Sequence, residues 1–384
     1  MTKRDFVVLL FLVALAAVRG EPDGCYVQFC GRKEAVAGGA SFALYGDVDA
    51  DDDTDVIALY EQGGILEWHE YEGDNPVATH RVDEGITEGG KVSIVLKGRD
   101  IVVASSIETF LRIYEWPEWT PPRLIPTSSV SDLAAGDVDG DGEADLVIAS
   151  TGGLYYWVSK NLNDDGNNAT TLFQIDASDA RAVAVAEVQD DGQRRLDVVS
   201  ATYTTIQYHR NDDGAGGLNW TSTLVDSDAP NVQSLVFADV DSDGAVDVVA
   251  SLLLLQAIVV YRQTVEVEGI EETTLWDDGS VVTNKAEGVR DLALLDVDFD
   301  GVYEIASTWT DAVAVHALNG AIIAFIPGIE APLSVDATVN FNGIRTTTGY
   351  DLIVASLDGV EQVLCGGGGG GDGASQRPSP QPAP

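Results

Sequence analysis

A short apolar string that ends in small residues recurs along the chain. Examples are VVAS, VIAS and IVAS, in which branched apolar residues precede Ala and Ser. The copies begin at Val56, Val102, Val147, Val198, Val248, Glu304 and Ile353. Successive copies lie 45 to 56 residues apart. Seven near-regular units of this size, all β-like in composition, favour a propeller over a solenoid.

Each unit also repeats one internal order of strands and turns. A short alternating strand comes first, then an acidic loop, then the recurring apolar string. A third strand rich in aromatic residues follows, and a polar turn leads to a fourth strand. No segment has a sustained helical period. The sequence therefore predicts an all-β fold, a seven-bladed β-propeller of four-stranded antiparallel blades.

The two ends of the chain fit closure of such a ring. The seventh unit begins near Leu333 and offers strands at 351–356 and 360–364, but no fourth strand before Cys365. Residues 24–38 precede the first strand of unit one, so they are able to supply the missing strand and leave no open edge. We expect the propeller to span residues 21–365, closed by the N-terminal strand. Residues 366–384 form a Gly/Pro-rich tail that we expect to be disordered.

The N-terminus is typical of an export signal. Lys3 and Arg4 precede an apolar run at 6–18, and small residues favour cleavage after Gly20. We expect residues 1–20 to be a signal peptide and the protein to be secreted; a buried N-terminal strand is the alternative. The run is too short to favour a membrane span.

An extracellular location would allow disulfide bonds and N-glycosylation. Cys25, Cys30 and Cys365 remain after cleavage, and an odd count implies one disulfide bond with a spare thiol, or an intermolecular link. In the closed ring Cys365 lies near Cys25 or Cys30, so we predict a bridge to one of them; a Cys25–Cys30 bridge competes. Asn168 and Asn219 begin N-glycosylation motifs.

Composition narrows the class of partner. The 384 residues carry 63 acidic and 21 basic side chains, a formal net charge of −42. Such a surface repels nucleic acid and anionic membranes, so neither is predicted as a partner, and it favours cations. Hydrophobic residues make up 45% of the chain, which is enough for a globular core.

The acidic loops have the spacing of a calcium site. In the pattern D-x-D-x-D-G-x-x-D, three alternating carboxylates turn inward, the glycine tightens the curl, and a carbonyl at position seven and an acid at position nine complete an oxygen cage. Zn²⁺ would require His or Cys, which the loops lack. We predict about three to five Ca²⁺ ions, mainly structural. The predicted ligand positions are Asp47, Asp49, Asp51, Asp53 and Asp55; Asp137, Asp139, Asp141, Glu143 and Asp145; Asp239, Asp241, Asp243, Ala245 and Asp247; and Asp296, Asp298, Asp300, Val302 and Glu304.

The remaining units have altered loops. Asp52 replaces the glycine in the first loop. Unit four has Arg195 at position nine and Asp197 two residues later, and unit seven offers Asn340 and Asn342. Unit two has only the turn KGRD. Simple solvated acidic turns are the alternative, but like charges this close repel one another unless a cation neutralises them.

The strings GDVDGDGEADLVIAS, ADVDSDGAVDVVAS, LDVDFDGVYEIAS and GDVDADDDTDVIAL resemble the FG-GAP/VCBS repeat family, which includes the N-terminal propeller of integrin α subunits. The resemblance covers about residues 24–364. It implies a seven-bladed propeller with calcium in the loops between strands one and two and recognition surfaces on the opposite face. No integrin β partner is predicted.

The leading functional hypothesis is a secreted, non-catalytic propeller that binds an extracellular protein or glycan in recognition or adhesion. A polysaccharide lyase or hydrolase and a purely structural component are alternatives. The four histidines fall in no catalytic motif. Opposite-face candidates are Tyr203, Thr204, residues 252–256, Trp309, Asp311 and Asp358. The string SLLLLQ favours a longer buried strand over an exposed patch, and Trp309 favours a place at the rim of the core.

Overall fold

The structure is a computed structural model. The residues it describes are 29–37, 40–51, 54–60, 63–72, 75–86, 92–97, 99–119, 121–157, 172–186, 196–212, 219–268, 271–296, 300–329, 332–338, 349–356 and 359–366. The predicted signal peptide, Cys25, Asn168, most of the tail and the altered loops of units four and seven lie outside these ranges. Those predictions stay predictions.

The described residues form antiparallel β-sheets, and six four-stranded blades are each built from one continuous stretch of chain. Blade 1 contains β2 (Ala40–Gly46), β3 (Asp55–Tyr60), β4 (Ile65–Glu72) and β5 (Asn75–Asp83); blade 2 contains β6 (Val92–Lys97), β7 (Asp100–Ser105), β8 (Phe110–Tyr114) and β9 (Arg123–Pro126); blade 3 contains β10 (Val130–Gly136), β11 (Asp145–Ser150), β12 (Gly153–Trp157) and β13 (Phe173–Asp176); blade 4 contains β14 (Ala182–Ala186), β15 (Asp197–Ala201), β16 (Ile206–Asn211) and β17 (Trp220–Asp226); blade 5 contains β18 (Val232–Ala238), β19 (Asp247–Leu252), β20 (Ala257–Tyr261) and β23 (Ser280–Thr283); blade 6 contains β24 (Leu292–Leu295), β25 (Glu304–Thr308), β26 (Ala312–His316) and β27 (Ile322–Pro327).

A further four-stranded sheet, here called the terminal sheet, combines the two ends of the chain. It contains β28 (Ser334–Thr338), β29 (Gly349–Ser356) and β30 (Gly359–Gly366), and β1 (Phe29–Ala37) is its outer strand. The propeller with four-stranded antiparallel blades is thus confirmed. The predicted count of seven differs from the six blades that continuous chain forms, because the last unit supplies three strands and takes its fourth from the N-terminal side.

The recurring apolar string forms the second strand of each blade. In β3, β11 and β19 every residue is buried, so the side chains face a neighbouring blade on both sides of the sheet. This two-sided burial explains why the string is continuously apolar instead of alternating. Its alanine is small because adjacent blades converge there; Ala58, Ala149 and Ala250 are at most 1% exposed.

The core lies between blades rather than within one sheet. A cluster around Tyr208 and Phe237 joins blades 4 and 5, and one around Ile57 and Tyr114 joins blades 1 and 2. Tyrosine hydroxyls add polar contacts across two of these boundaries: Tyr114 donates to Asp83 at 2.5 Å, and Tyr261 donates to Asp226 at 2.6 Å. Each acid ends the fourth strand of the preceding blade.

The first strands line the centre of the propeller. β2, β6, β10, β14, β18, β24 and β28 each contact the next in this order, and β28 also contacts β2. Two hydrogen bonds reinforce that last contact: the Ala43 N–H donates to Ser334 Oγ at 3.1 Å, and the Tyr45 N–H donates to Asp336 at 2.9 Å. The terminal sheet therefore lies between blade 6 and blade 1.

Blade 5 departs from the regular plan. A two-stranded hairpin of β21 (Gln263–Glu268) and β22 (Glu271–Trp276) is inserted between its third and fourth strands. This insertion accounts for the longest interval between copies of the apolar string. In the part of the chain that the structure describes, no helix has the length and apolar character needed to cross a membrane.

Candidate functional site

The acidic loop of blade 3 curls through hydrogen bonds to its own carboxylates. The Asp137 carboxylate accepts the N–H of Asp141 at 2.9 Å and that of Gly142 at 2.7 Å. Asp141 accepts the N–H of Glu143 at 2.8 Å. Asp145, at position nine, accepts the N–H of Val138 at 3.1 Å. Positions one, five and nine therefore set the curvature of the loop.

The same bonds recur in the other complete loops. In blade 5, Asp239 accepts the N–H groups of Asp243 and Gly244 at 3.2 and 3.0 Å. In blade 6, Asp296 accepts those of Asp300 and Gly301 at 3.1 and 3.0 Å. Three loops from distant parts of the chain thus adopt one hydrogen-bonded shape.

Backbone angles confirm the role given to glycine. Gly142, Gly244 and Gly301 have φ of 90°, 91° and 90°, in the region that L-residues avoid. Position four also has positive φ, in Gly140 and in the non-glycine residues Ala50 and Ser242. This second special position was not predictable from the sequence, because alanine and serine give no signal for positive φ.

Carboxylates converge in three of the four loops. Positions one, three and nine offer oxygens that lie within 4.8 Å of one another in each loop. The groups are Asp47, Asp49 and Asp55; Asp137, Asp139 and Asp145; and Asp239, Asp241 and Asp247. Asp53 and Asp298 lie outside the described residues, so the corresponding positions of the first and sixth loops stay predictions.

Several oxygens in these clusters lack donors. Asp49 Oδ1 and Asp241 Oδ1 are buried and accept no hydrogen bond among the described residues. Burial, opposed by hydrogen bonds, raises the pKa of Asp55 to about 6 and that of Asp247 to about 7, and burial with the nearby Asp51 charge raises the pKa of Asp49. Buried oxygens without donors, in a set of hard anionic ligands, fit a Ca²⁺ ion.

The position-nine acid also has a structural role. It accepts the N–H of a residue at or just beyond the end of the third strand: Tyr71 donates to Asp55 at 3.0 Å, and Gln263, two residues after β20, donates to Asp247 at 3.2 Å. Asp100 accepts the Trp116 N–H at 3.0 Å in blade 2, which has no acidic loop. This bond therefore holds strands two and three together whether or not the blade has an acidic loop.

Blade 4 shows the same bond two residues later than the sequence pattern indicated. Asp197 accepts the Asn211 N–H at 2.7 Å and the Tyr208 hydroxyl at 2.8 Å. It lies opposite Ala186, just as Asp145 lies opposite Gly136. Asp197, not Arg195, is thus the position-nine residue, and the loop before it is two residues longer.

The opposite face presents an exposed apolar group on blades 4 and 5. Tyr203 is 50% exposed, Leu254 61% and Leu255 53%, whereas Leu252 is buried. The predicted longer buried strand is wrong beyond Leu252, because β19 ends there and the chain turns. We call Tyr203, Leu254 and Leu255 the apolar patch.

Backbone hydrogen bonds hold the loops of this patch together. The Asn231 N–H donates to the Tyr203 carbonyl at 2.9 Å, and the Leu253 N–H donates to the Asn231 carbonyl at 3.2 Å. The Ala286 N–H donates to the Gln256 carbonyl at 2.8 Å. Asn231 and Gln256 both have positive φ. The loops that present the patch are therefore fixed to one another.

Trp309 is partly buried and belongs to the rim of the core, as the sequence indicated. Its indole stacks on His316 with centroids 5.7 Å apart and donates to Ser307 Oγ at 2.9 Å. Asp311 is exposed beside it, and Asp358 lies outside the described residues.

The histidines serve the packing of third strands. His69 and His209 each contact two hydroxyl groups, at 3.1 and 3.1 Å and at 2.8 and 2.8 Å. His316 is fully buried, and neither ring nitrogen has a partner among the described residues. His80, on a fourth strand, pairs with Glu70 at 2.8 Å and stacks on Trp68. The His209–Ser200 pair lies between buried side chains, at 0% and 3% exposure, so this contact serves packing.

Two features bear on the expected extracellular location. Cys30 of β1 lies directly opposite Cys365 of β30 in the strand register. Asn219 is exposed at the start of β17, so its glycosylation motif is accessible.

Comparisons with known proteins support the propeller fold. Residues 129–172, which include the blade 3 loop, match the FG-GAP repeat model. A search of curated proteins found no match. Among solved structures, BBS1N in complex with ARL6DN, soaked with mercury, has 10% sequence identity to this chain and a TM-score of 0.58. The match covers 89% of this chain and 97% of that one. The lead-soaked form of that complex is 11% identical with a TM-score of 0.56, covering 88% and 97%.

Proposed function

We propose that this chain, whose third blade contains an FG-GAP repeat, is a secreted, non-catalytic, calcium-binding propeller that recognises another protein in adhesion outside the cell. The observation that carries the proposal is that the two faces of the propeller present different groups. Carboxylate clusters occupy the face of the strand-one to strand-two loops. A rigidly held apolar patch occupies the other face.

The calcium part of the proposal rests on the donor set of the loops. Asp137, Asp139, Asp141 and Asp145 would hold one ion with the carbonyl of Glu143, and the loops of blades 1, 5 and 6 would do so at the same positions. Calcium, when bound, supplies positive charge that relieves carboxylate repulsion and ties the first two strands together. We propose a structural role for it, because the acids at positions one and nine already hold the loop in its curled shape.

We further propose that the terminal sheet acts as the seventh blade and closes the ring. The continuous contact from β2 through β28 and back to β2 supports this. A Cys30–Cys365 disulfide would lock the closing strands. Directly opposite residues of antiparallel strands have Cα atoms about 4.5–5.5 Å apart, which is within the range that a disulfide spans.

The apolar patch favours a protein partner over a glycan. Two leucines offer aliphatic surface for packing but no ring for stacking on a sugar, and Tyr203 already carries Arg181 over its ring at 4.8 Å. Exposed acids, Asp228 and Glu287, lie in the connecting loops beside the patch. The surface therefore fits a partner with an apolar centre and basic residues around it. BBS1N, which shares the fold, was solved in complex with another protein, ARL6DN.

Binding to protein and glycan arrays, with and without a calcium chelator, tests the proposal. We expect calcium-dependent binding to a basic protein that Leu254→Asp abolishes. Leu124→Asp is the matched control, because Leu124 is 49% exposed on the outer strand of blade 2, whereas the patch lies on blades 4 and 5. Turnover of a polysaccharide would instead establish the enzymatic alternative. Absence of calcium by elemental analysis, with an unchanged melting temperature on chelation, would refute the calcium sites.

A further inference from the structure

Blade 2 lacks an acidic loop, and basic side chains occupy the corresponding place. Lys97 ends β6, Arg99 follows in the turn, and Arg123 begins β9. Lys97 Nζ lies 5.7 Å and Arg123 Cζ lies 5.2 Å from the centre of the Trp157 ring, which belongs to blade 3. In a chain with three times as many acids as basic residues, this local excess of positive charge is unusual.

Arg123 has no acceptor for two of its donors. Its Nε and Nη2 atoms are buried and make no hydrogen bond among the described residues, and the side chain is 13% exposed. These two nitrogens form one edge of the guanidinium group, the edge that binds both oxygens of a carboxylate. The Trp157 Nε1–H is also buried, has no acceptor among the described residues, and belongs to the indole ring that Arg123 overlies.

Other arginines of this protein have close carboxylate partners. Arg112 contacts Glu108 at 2.7 Å, Arg210 contacts Asp212 at 2.6 Å and Arg262 contacts Asp241 at 2.9 Å. The nearest carboxylate of Arg123 is Glu115, which is 59% exposed and reaches only Nη1, at 3.9 Å. Asp100 is already engaged by the Trp116 N–H. Among the described residues, the paired edge of Arg123 thus has no acceptor.

We propose that Arg123, Lys97 and the Trp157 indole N–H form a binding site for a small oxyanion, a carboxylate, at the junction of blades 2 and 3. Buried donors that stay unsatisfied are rare in folded proteins, and a charged donor costs more than a neutral one. Water would supply acceptors but no charge. A carboxylate supplies two acceptors in the matching geometry and neutralises the two cations over one ring. Arg99, exposed and 5.9 Å from the Trp116 ring, adds a further positive charge to the turn that follows Lys97.

Where other blades have an acidic loop suited to a cation, blade 2 has a site suited to an anion. On this face, blades 1, 3 and 5 present carboxylates, whereas blade 2 presents their counter-charge. The carboxylate is either free in solution or the side chain of a partner. Because the net charge of −42 repels anions elsewhere, specific binding here stands out against a low background.

Titration calorimetry with acetate, at one fixed calcium concentration, tests the proposal. We expect saturable binding with one site, weakened at least tenfold by Arg123→Gln, because a hydrogen bond to a charged group is removed. Arg290→Gln is the matched control, since Arg290 is an exposed arginine in a connecting loop of the other face. A blocked peptide with one glutamate side chain, titrated in parallel, distinguishes a partner's carboxylate from a free anion by binding more tightly than acetate.

If circular dichroism shows that Arg123→Gln does not fold, two further variants still test the proposal. Lys97→Gln is expected to weaken acetate binding, and Glu115→Gln is expected to tighten it, because the Glu115 charge lies beside Arg123. Absence of saturable acetate binding to the folded wild-type protein would overturn the proposal. Binding that Arg123→Gln, Lys97→Gln and Glu115→Gln all leave unchanged would overturn it as well.

Discussion

His316 offers a direct test of how burial without partners affects stability. It lies opposite Ile322 on the fourth strand, where His69 has Thr79 and His209 has Ser222. Its other neighbour, Ser307, accepts the Trp309 indole N–H instead. Replacement by phenylalanine removes two unsatisfied nitrogens and keeps an aromatic ring against Trp309. At neutral pH we expect His316→Phe to be as stable as the wild type or more stable.

The magnitude at acid pH follows from the pKa of His316. Burial lowers that pKa from 6.5 to about 4. Between these values the unfolded chain binds a proton that the folded chain does not, so the stability contributed by the neutral ring is fully present above pH 6.5 and falls as the pH falls. One pKa unit corresponds to about 1.4 kcal/mol. At a pH of about 4.5, wild type should therefore have lost about 2.5 kcal/mol relative to His316→Phe.

Urea denaturation of both proteins at neutral pH and at a pH of about 4.5 measures this difference. Acidic residues titrate in both proteins alike, so their effect cancels in the comparison. His209→Phe is the control with the same expected pH dependence, since burial lowers the pKa of His209 to about 4. It should lose stability at neutral pH, because the Ser200 and Ser222 hydroxyls lose their partner. A pH-independent difference between wild type and His316→Phe would show that the ring is accessible to protons and refute the reasoning.

Three other changes probe the loops and the closure. Gly142→Ala should cost about 1–3 kcal/mol by urea denaturation, through strain at φ of 90° alone, since no atom lies near the added methyl. Arg262→Gln should tighten calcium binding several-fold in calorimetry, because Arg262 donates to Asp241 at 2.9 Å and competes for that oxygen. Non-reducing peptide mapping should find Cys30 joined to Cys365, and a free Cys365 would contradict closure by a disulfide.

The sequence was sufficient to predict blade-level order because the propeller repeats a local unit. Strand two of each blade is buried on both sides, so its composition is constrained at every copy and the copies can be counted. The borrowed outer strand was also predictable, since the last unit visibly lacks one. Contacts across blade boundaries were not predictable. Tyr261 and Asp226 are 35 residues apart, and neither belongs to a recurring string.

The inserted hairpin and the apolar patch show a different limit. The longest interval between repeats preceded blade 6, but length alone did not distinguish a hairpin from an irregular loop. The four consecutive leucines at 252–255 predicted a buried strand beyond Leu252, where β19 ends. The end of the strand depends on where Asn231 accepts the Leu253 N–H, and that bond involves a connecting loop 22 residues earlier. Sequence periodicity carries no information about such a contact.

The acids of the loops have separate tasks, and this changes what their recurrence means. Position nine keeps its acid in blades 2 and 4, where Asp100 and Asp197 hold the end of the third strand without a complete metal loop. An acid there is accounted for by the hairpin alone. Positions one and three are absent from blade 2, and at position three Asp241 has a buried oxygen with no donor. The proposed calcium sites therefore rest on the alternating acids and the glycine, not on position nine. In blade 5, Asp247→Asn should lower the melting temperature even in chelator, whereas Asp241→Asn should lower it mainly when calcium is present, since in chelator it weakens only the ion pair with Arg262. Equal effects of both variants under both conditions would contradict this separation of tasks.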